Sequence, residues 1–545
     1  IGQDFTNYDF FGYIPKTTLN NPVGYAQGSK MKLSNLNSEA ILNYTKKNIY
    51  NNFSLNALVG VNSRTTLRDE TRIEGSGFVL DDFYALSNLG TITYSYPYGK
   101  TKTNSVYGAV DLDYKNVVFL NFTGRQDWFS TLSPDNNSVF YPSVGTSIIV
   151  SDILKMPEFI SFAKLRSSWA QVGGATPDPY ALNQSYSMVQ GGHNGEQLQT
   201  PTSNRVPNST LSPLTSTTIE VGTDLGFFNN RLNLDFAWYN RSTTNDIVET
   251  TISTGSGANS ALLNLGKMRN KGIEFLLSGK IINSRNFSWD ASFNGSYNEN
   301  KVEALTDGLN SITMATSVNG YATITSDVGH PYSTIKGYRP LKDANGNTVY
   351  TLSGGSAAIA RGPLEILGEG VHPWTAGITN EFKYKNVSFS FLIDGKFGGS
   401  LYSGTDLYGT RMGLTKLTLE GRENGLPIKG VDTNGNPVDM VIAPENLRYY
   451  YDGLKSISST FIYDASFIKL RQIILGYTLP VDKIRGLSKL QGASISFIAR
   501  NLFILYKKTP NVDPESVFSA GNAQGVEQFG VPKTRSFGLS LNIKF

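Results

Sequence analysis

Apolar and polar side chains alternate with period two along most of the chain, the pattern of strands whose two faces meet different surroundings. In FSWDASFNGSYN, Phe287, Trp289, Ala291, Phe293 and Tyr297 fall on one face, and Ser288, Asp290, Ser292, Asn294, Ser296 and Asn298 on the other. From Asn386 the rhythm returns, with Val387, Phe389, Phe391 and Ile393 set against Asn386, Ser388, Ser390 and Asp394. At the C-terminus Phe537, Leu539, Leu541, Ile543 and Phe545 alternate with Ser536, Gly538, Ser540, Asn542 and Lys544. The same reading predicts strands over 34–45, 53–65, 106–114, 117–127, 139–150, 163–173, 214–225, 231–248, 262–282, 287–298, 372–383, 386–396, 466–478, 490–501 and 536–545. The polar faces carry mainly Ser, Asn, Thr and Gly, and many segments run about 10 to 13 residues, the length of a tilted strand crossing a bilayer. A soluble sandwich also alternates, but with shorter strands and charges outside.

The connections separate the two. Short ones are Lys46 to Asn52, Lys115-Asn116, Ser151 to Phe162, Gly226 to Asn230, Asn283 to Asn286, Tyr384-Lys385 and Leu479 to Lys489. Between them lie long ones, 66–105, 174–213, 299–371, 397–465 and 502–535, of which 299–371 and 397–465 read as strand-free. Short turns on one rim and long loops on the other are the layout of an antiparallel transmembrane β-barrel. First and last predicted strands run the same way and cannot pair, so an odd number of strands is expected upstream, or one more in residues 1–33. The segment Asp4 to Tyr13 would supply it, but its alternation is weak, and missing sequence is the favoured reading.

Composition narrows the chemistry. The 545 residues include 48 basic and 44 acidic side chains, 3 histidines and no cysteine. That removes disulfides, thiolate metal sites and cysteine nucleophiles, and makes a His-built metal centre improbable. A net charge of +4 gives no ground for a nucleic-acid partner, and no apolar run is long enough for a membrane helix. G-x-S-x-G, P-loop and H-E-x-x-H patterns are absent, so nothing supports an enzyme or a cofactor. No signal peptide opens the chain.

Asp343, Asn345 and Asn347 have calcium-loop spacing, but Thr348 and Gly354 stand where such a loop needs Gly and Glu. An Asn-Gly turn explains the segment without metal, and Asp432 to Pro437 is weaker still. Tyr449, Tyr450 and Tyr451, deep in a long loop, are candidates for stacking on substrate. Trp128, just past a strand end, reads as an interfacial girdle residue. Arg125, Asp127, Lys469 and Arg471 read as ordinary charges of a polar lumen.

DASFIKLRQIILGYTLP (Asp464 to Pro480) resembles the late-barrel signature of the SusC/RagA-like TonB-dependent transporters of the Bacteroidota outer membrane. In order along the chain, YPSVGTSIIVSD (Tyr141 to Asp152), LRSSWAQVGG (Leu165 to Gly174), MRNKGIEF (Met268 to Phe275), GHPYSTIKGY (Gly329 to Tyr338), HPWTAGITNEFKYKNVSFSFLIDGKFGG (His372 to Gly399), ARNLFIL (Ala499 to Leu505) and the VPKTRSFGLSLNIKF ending agree with it. The resemblance covers at least 106–545 and marks Trp374 as a structural family feature. It implies that the about 15 strands here belong to a 22-stranded barrel, residues 1–545 being its C-terminal portion without plug or TonB-contacting segment. The implied activity is TonB-coupled outer-membrane import of oligosaccharides or oligopeptides with a SusD-like surface lipoprotein. Phe389, Phe391, Leu539 and Leu541 would face lipid. Phe545 would be the terminal aromatic read by the outer-membrane assembly machinery. A passive porin of about 16 strands and an adhesin-like β protein are the alternatives.

Overall fold

The computed structural model describes residues 1–16, 23–50, 52–174, 177–194, 196–306, 308–484, 490–516, 521 and 523–545. Long strands joined in one large antiparallel sheet dominate it. In chain order they are β1 (Gly2–Ile14), β2 (Tyr25–Tyr50), β3 (Phe53–Phe78), β4 (Tyr98–Tyr114), β5 (Val118–Phe129), β6 (Ser138–Ile149), β7 (Ile160–Gly174) and β8 (Leu214–Phe227). They continue as β9 (Leu232–Thr251), β10 (Ser260–Asn283), β11 (Phe287–Ala304), β12 (Trp374–Tyr384), β13 (Val387–Phe397), β14 (Phe467–Leu479), β15 (Gly492–Lys507) and β16 (Ser536–Lys544). No described helix is long and apolar enough to cross a membrane. The chain divides into two compact units, one of Ile1–Ser147, Ser168–Thr218 and Thr243–Leu265, the other of the remaining segments.

In the first unit, β1 occupies residues that the alternation left unassigned. It pairs with β2 from Gly2↔Asn37 to Ile14↔Tyr25, so the expectation of an odd number of strands upstream loses its basis. Its sequence hides it because both faces mix ring and polar side chains: Phe5 and Phe11 share a face with Asn7 and Asp9. β2 and β3 are far longer than predicted, 26 residues each, against the roughly 9–11 a bilayer requires. β3 pairs with β4 from Phe53↔Tyr114 to Asp69↔Tyr98. Along Thr65 to Ile73 the alternation stops while the hydrogen-bond ladder with β2 continues. A buried carboxylate interrupts the pattern there: Glu70 accepts from Arg68 Nη2 at 2.5 Å and Arg72 Nη2 at 3.0 Å. The β4–β5 connection is Lys115, Asn116 and Val117, with φ of 58° and 56° at the first two and the Val117 amide donating to the Tyr114 carbonyl at 3.0 Å, a turn whose two central residues both need positive φ.

In the second unit, register turns single-strand alternation into continuous rows. Trp289, Phe382, Phe389, Leu475, Phe497 and Leu539 stand directly opposite one another across β11 to β16. Two residues along, Phe287, Tyr384, Val387, Tyr477, Ile495 and Leu541 form a parallel row. Between them, on the other face, lie Ser288, Lys383, Ser388, Gly476, Ser496 and Ser540. Ring pairs such as Trp289–Phe382 at 5.6 Å and Phe382–Phe391 at 6.3 Å consolidate the apolar face.

The long connections of this unit are not strand-free, contrary to the expectation for 299–371 and 397–465. One four-stranded sheet comprises Ser311–Thr316, Thr323–Asp327, Thr334–Pro340 and Arg361–Glu369. A second joins Val349–Ser353 and Ser356–Ile359 to Leu426–Asp432 and Pro437–Ile442, from a different connection. A third sets Ser400–Ser403 between Ile462–Asp464 and Val526–Glu527. Helices α1 (Gly404–Arg411) and α2 (Leu447–Gly453) complete this loop layer. Its core gathers Ile324, Ile335, Tyr350, Tyr402, Leu407, Ile442, Phe461 and Val526, from three separate connections.

Candidate functional site

The loop layer is built to hold a shape. Tyr402 Oη and Asn319 hydrogen-bond at 2.7 Å, joining the 305–373 and 398–466 connections. Glu527, fully buried, accepts from Ser403 Oγ at 2.8 Å and Thr405 Oγ1 at 2.6 Å, tying in the 508–535 connection. Ser403 also caps α1, its Oγ accepting from the Asp406 amide at 3.1 Å. Loops so stitched form a fixed surface rather than loose tethers.

Within it, the three tyrosines part company. Tyr451 belongs to the core and donates to the Glu420 carbonyl at 2.8 Å. Tyr450 packs against that core, and burial pushes its phenol up to about 12. Tyr449 is exposed. A short helix makes this separation, since consecutive positions turn about 100° apart.

Asp343 and Asp432 head matching turns, DANGN and DTNGN. Asp343 Oδ1 accepts from the Asn345 and Asn347 amides at 2.9 and 2.8 Å, and Oδ2 from Asn347 Nδ2 at 3.0 Å. Asp432 repeats this with Asn434 and Asn436 at 2.8, 2.9 and 2.9 Å. The Asn347 amide group and the turn's own N–H groups hold the Asp343 carboxyl below its usual range. Each carboxylate is thus engaged by its own turn, and Asn345 lends its backbone. Among the described residues no group of three or more His, Cys, Asp or Glu side chains could hold a metal ion.

Several charges on the polar face of the strands are mutually paired. Arg166 on β7 donates to Asp224, and to Asp235 at 2.6 Å. Arg125 Nε donates to Asp127 Oδ1 at 2.7 Å and its Nη2 to Ser105 Oγ at 2.7 Å. Lys469 and Arg471, on one face of β14, belong to a larger cluster that the sequence reading missed. Lys469 Nζ contacts Asp513 and Glu515 at 2.7 Å each. Arg471 forks onto Asp394 at 2.9 and 2.8 Å and onto Glu515 at 3.0 and 3.1 Å. The reciprocal spacing K-x-R and D-x-E is the one local clue to it.

Phe389, Phe391, Leu539 and Leu541 all lie on the apolar face of the rows, with Leu539 and Leu541 strongly exposed. Phe545 follows the end of β16 and is exposed. Trp128, opposite Asn104 near the end of β5, is exposed, and Trp374 leans on Tyr297 at 4.6 Å.

The family described as TonB dependent receptor-like, beta-barrel, matches residues 2–425. TonB-dependent receptor P3 of Formosa agariphila is 26% identical, the alignment covering 94% of this chain and 52% of that protein. TonB-dependent receptor SusC of Bacteroides thetaiotaomicron is 25% identical over 81% of this chain and 43% of its own. The RagAB peptide transporter structure superposes over 100% of this chain and 59% of the matched chain, with a TM-score of 0.77 and 20% identity. The chain spans about half the length of the curated relatives it matches.

Proposed function

The chain belongs to the TonB-dependent receptor-like β-barrel family, and from that premise we propose that it forms the translocating barrel of an outer-membrane active importer. The match along residues 2–425 carries the reading. The apolar rows, with Phe389, Phe391, Leu539 and Leu541, face hydrocarbon, and the paired charges line the lumen. Short turns look to the periplasm and the loop layer to the medium. Import is coupled to TonB through parts of the protein outside this sequence, since a barrel of roughly 22 strands needs a plug. The cargo is an oligosaccharide or oligopeptide.

A SusD-like surface lipoprotein covers the loop layer. Support for a partner there comes from a run of apolar side chains left in water: Met412 at 65%, Leu414 at 81%, Leu417 at 44% and Leu419 at 61% exposure. Large exposed apolar side chains grouped so closely along the chain favour an interaction site. Outer-membrane assembly machinery reads the C-terminal strand ending in Phe545.

The test is uptake by the complete gene product in matched strains with and without TonB. TonB-dependent uptake, and a leaky TonB-independent pore after deletion of the plug, are the expected results. Full-rate uptake without TonB would establish a passive porin instead.

A further inference from the structure

Two adjoining clefts open on the loop layer between α1 and α2, of about 520 Å³ and about 510 Å³, sharing Arg411, Met412 and Arg448. Each falls in the size range of small-ligand sites, and together they make a run longer than one sugar ring or amino acid. The first is lined by three arginines, Arg411, Arg422 and Arg448, and by no carboxylate. The second adds Glu445, Asp452 and the exposed ring of Tyr449.

The guanidinium groups keep free donors. Arg411 Nε donates to Asp452 Oδ1 at 2.7 Å, and among the described residues neither of its Nη groups has a hydrogen-bond partner. That carboxylate is shared with Lys455, also at 2.7 Å, so one negative charge serves two cations. Arg422 gives Nε to the Thr418 carbonyl at 2.6 Å and Nη2 to the Gly413 carbonyl at 2.5 Å. These bonds fix its direction without neutralising it, and Nη1 has no partner among the described residues. Arg448 is exposed and has no hydrogen bond or ion pair among the described residues. Arginine forks match carboxylates in pairs of parallel hydrogen bonds. Two of the three are held in place before any ligand arrives, by a carboxylate and by backbone carbonyls, which lowers the ordering cost of binding.

We infer that these clefts form a capture subsite for a short oligomer carrying repeated carboxylates, whose acid groups lie along the Arg411, Arg422 and Arg448 side chains. For its place in transport this rests on the import reading above.

The complete protein in detergent is titrated calorimetrically with trigalacturonate and its fully methyl-esterified form, and with triglutamate and triglutamine. At least one acid should bind roughly tenfold or more tightly than its neutral counterpart, the tighter acid naming the source as sugar or peptide. Affinity should fall as salt rises. Arg448→Gln should weaken acid binding roughly tenfold and leave the thermal transition unchanged, because Arg448 holds nothing in the fold. Equal binding of acids and neutral forms, or an unaltered affinity in Arg448→Gln, would overturn the inference. TonB-dependent uptake without acid preference sinks this inference alone; acid-selective binding with TonB-independent uptake sinks the import reading alone.

Discussion

Replacing Glu515 with glutamine should release the 508–535 connection from the strand wall. Six charges meet there, Lys469, Arg471 and Lys533 against Asp394, Asp513 and Glu515. The Lys469 side chain is 6% exposed and that of Glu515 11%, so the pair is desolvated. Removing one partner of such a pair costs on the order of 3–5 kcal/mol, because the other charge is stranded. Here Asp513 still holds Lys469 and Asp394 still holds Arg471 through two bonds, so the low end applies, about 3 kcal/mol. At about 1.4 kcal/mol per decade that is roughly a hundredfold shift in local opening. Amide exchange over 508–516 should therefore quicken about a hundredfold while β14 and β15 stay protected. Lys533→Met, at a half-exposed cation, should change exchange by no more than about fivefold. Burial alone would raise the Glu515 pKa, but hydrogen bonds and charge from Arg471 and Lys469 hold it well below the usual carboxylate range. A depressed folded pKa contributes stability that is complete above the unfolded value near 4.3 and is lost as pH falls toward the folded one. Docking should thus be constant from about pH 5 to 8 and weaken only in stronger acid. Unchanged exchange in Glu515→Gln would show that packing, not charge, holds the connection.

Phe391→Arg and Leu539→Arg should each cost about 2–4 kcal/mol where they meet hydrocarbon and reduce the heat-modifiable, folded band on gels, while Ser390→Arg and Ser540→Arg should fold at wild-type yield. Equal yields from both pairs would reverse the facing. Deleting Phe545 should slow membrane assembly more than Phe537→Leu does, and pulse-chase insertion at the wild-type rate would remove its signalling role. Gly346 and Gly435 sit at φ of 83° and 85° in their turns, so Gly346→Val and Gly435→Val should each destabilise the loop layer by about 1–2 kcal/mol, with asparagine recovering most of it. Thermal unfolding unaffected by valine would mean that the turns do not constrain the layer.

Strand positions were legible because lipid and lumen impose opposite demands on neighbouring residues, and that contrast is written locally. It fails where the contrast fails. At Thr65 to Ile73 the strand continues with polar and charged side chains on both faces, Glu70 buried between Arg68 and Arg72, so the alternation vanishes and the sequence places the end of β3 at residue 65. At β1 rings occupy both faces, so the pattern is weak. The loop layer was invisible for another reason: its core joins Ile324, Tyr402 and Val526, far apart in sequence and without any period. The tyrosine run at 449–451 was legible as unusual, but the burial of Tyr450 and Tyr451 depends on a short helix and on partners from other connections. Lys469 and Arg471 read as charges of a polar wall, while their acidic partners Asp513 and Glu515 lie more than forty residues on, where no local pattern joins them.

Where selectivity resides can be reasoned from what each surface is free to do. Strand residues alternate between a face fixed by hydrocarbon and a face whose charges, at Arg125, Arg166 and Arg471, are already matched by carboxylates within reach. A matched charge offers an incoming ligand little, because binding must first break a bond that exists. The loop layer reverses this. Its own core sets the backbone, carbonyls of Gly413 and Thr418 aim Arg422, Asp452 aims Arg411, and free guanidinium donors remain. Rigid placement with unspent hydrogen-bonding capacity is what a recognition site requires. On the import reading proposed above, the barrel wall suits many cargoes, and the identity of the cargo is decided in the loops that join its strands.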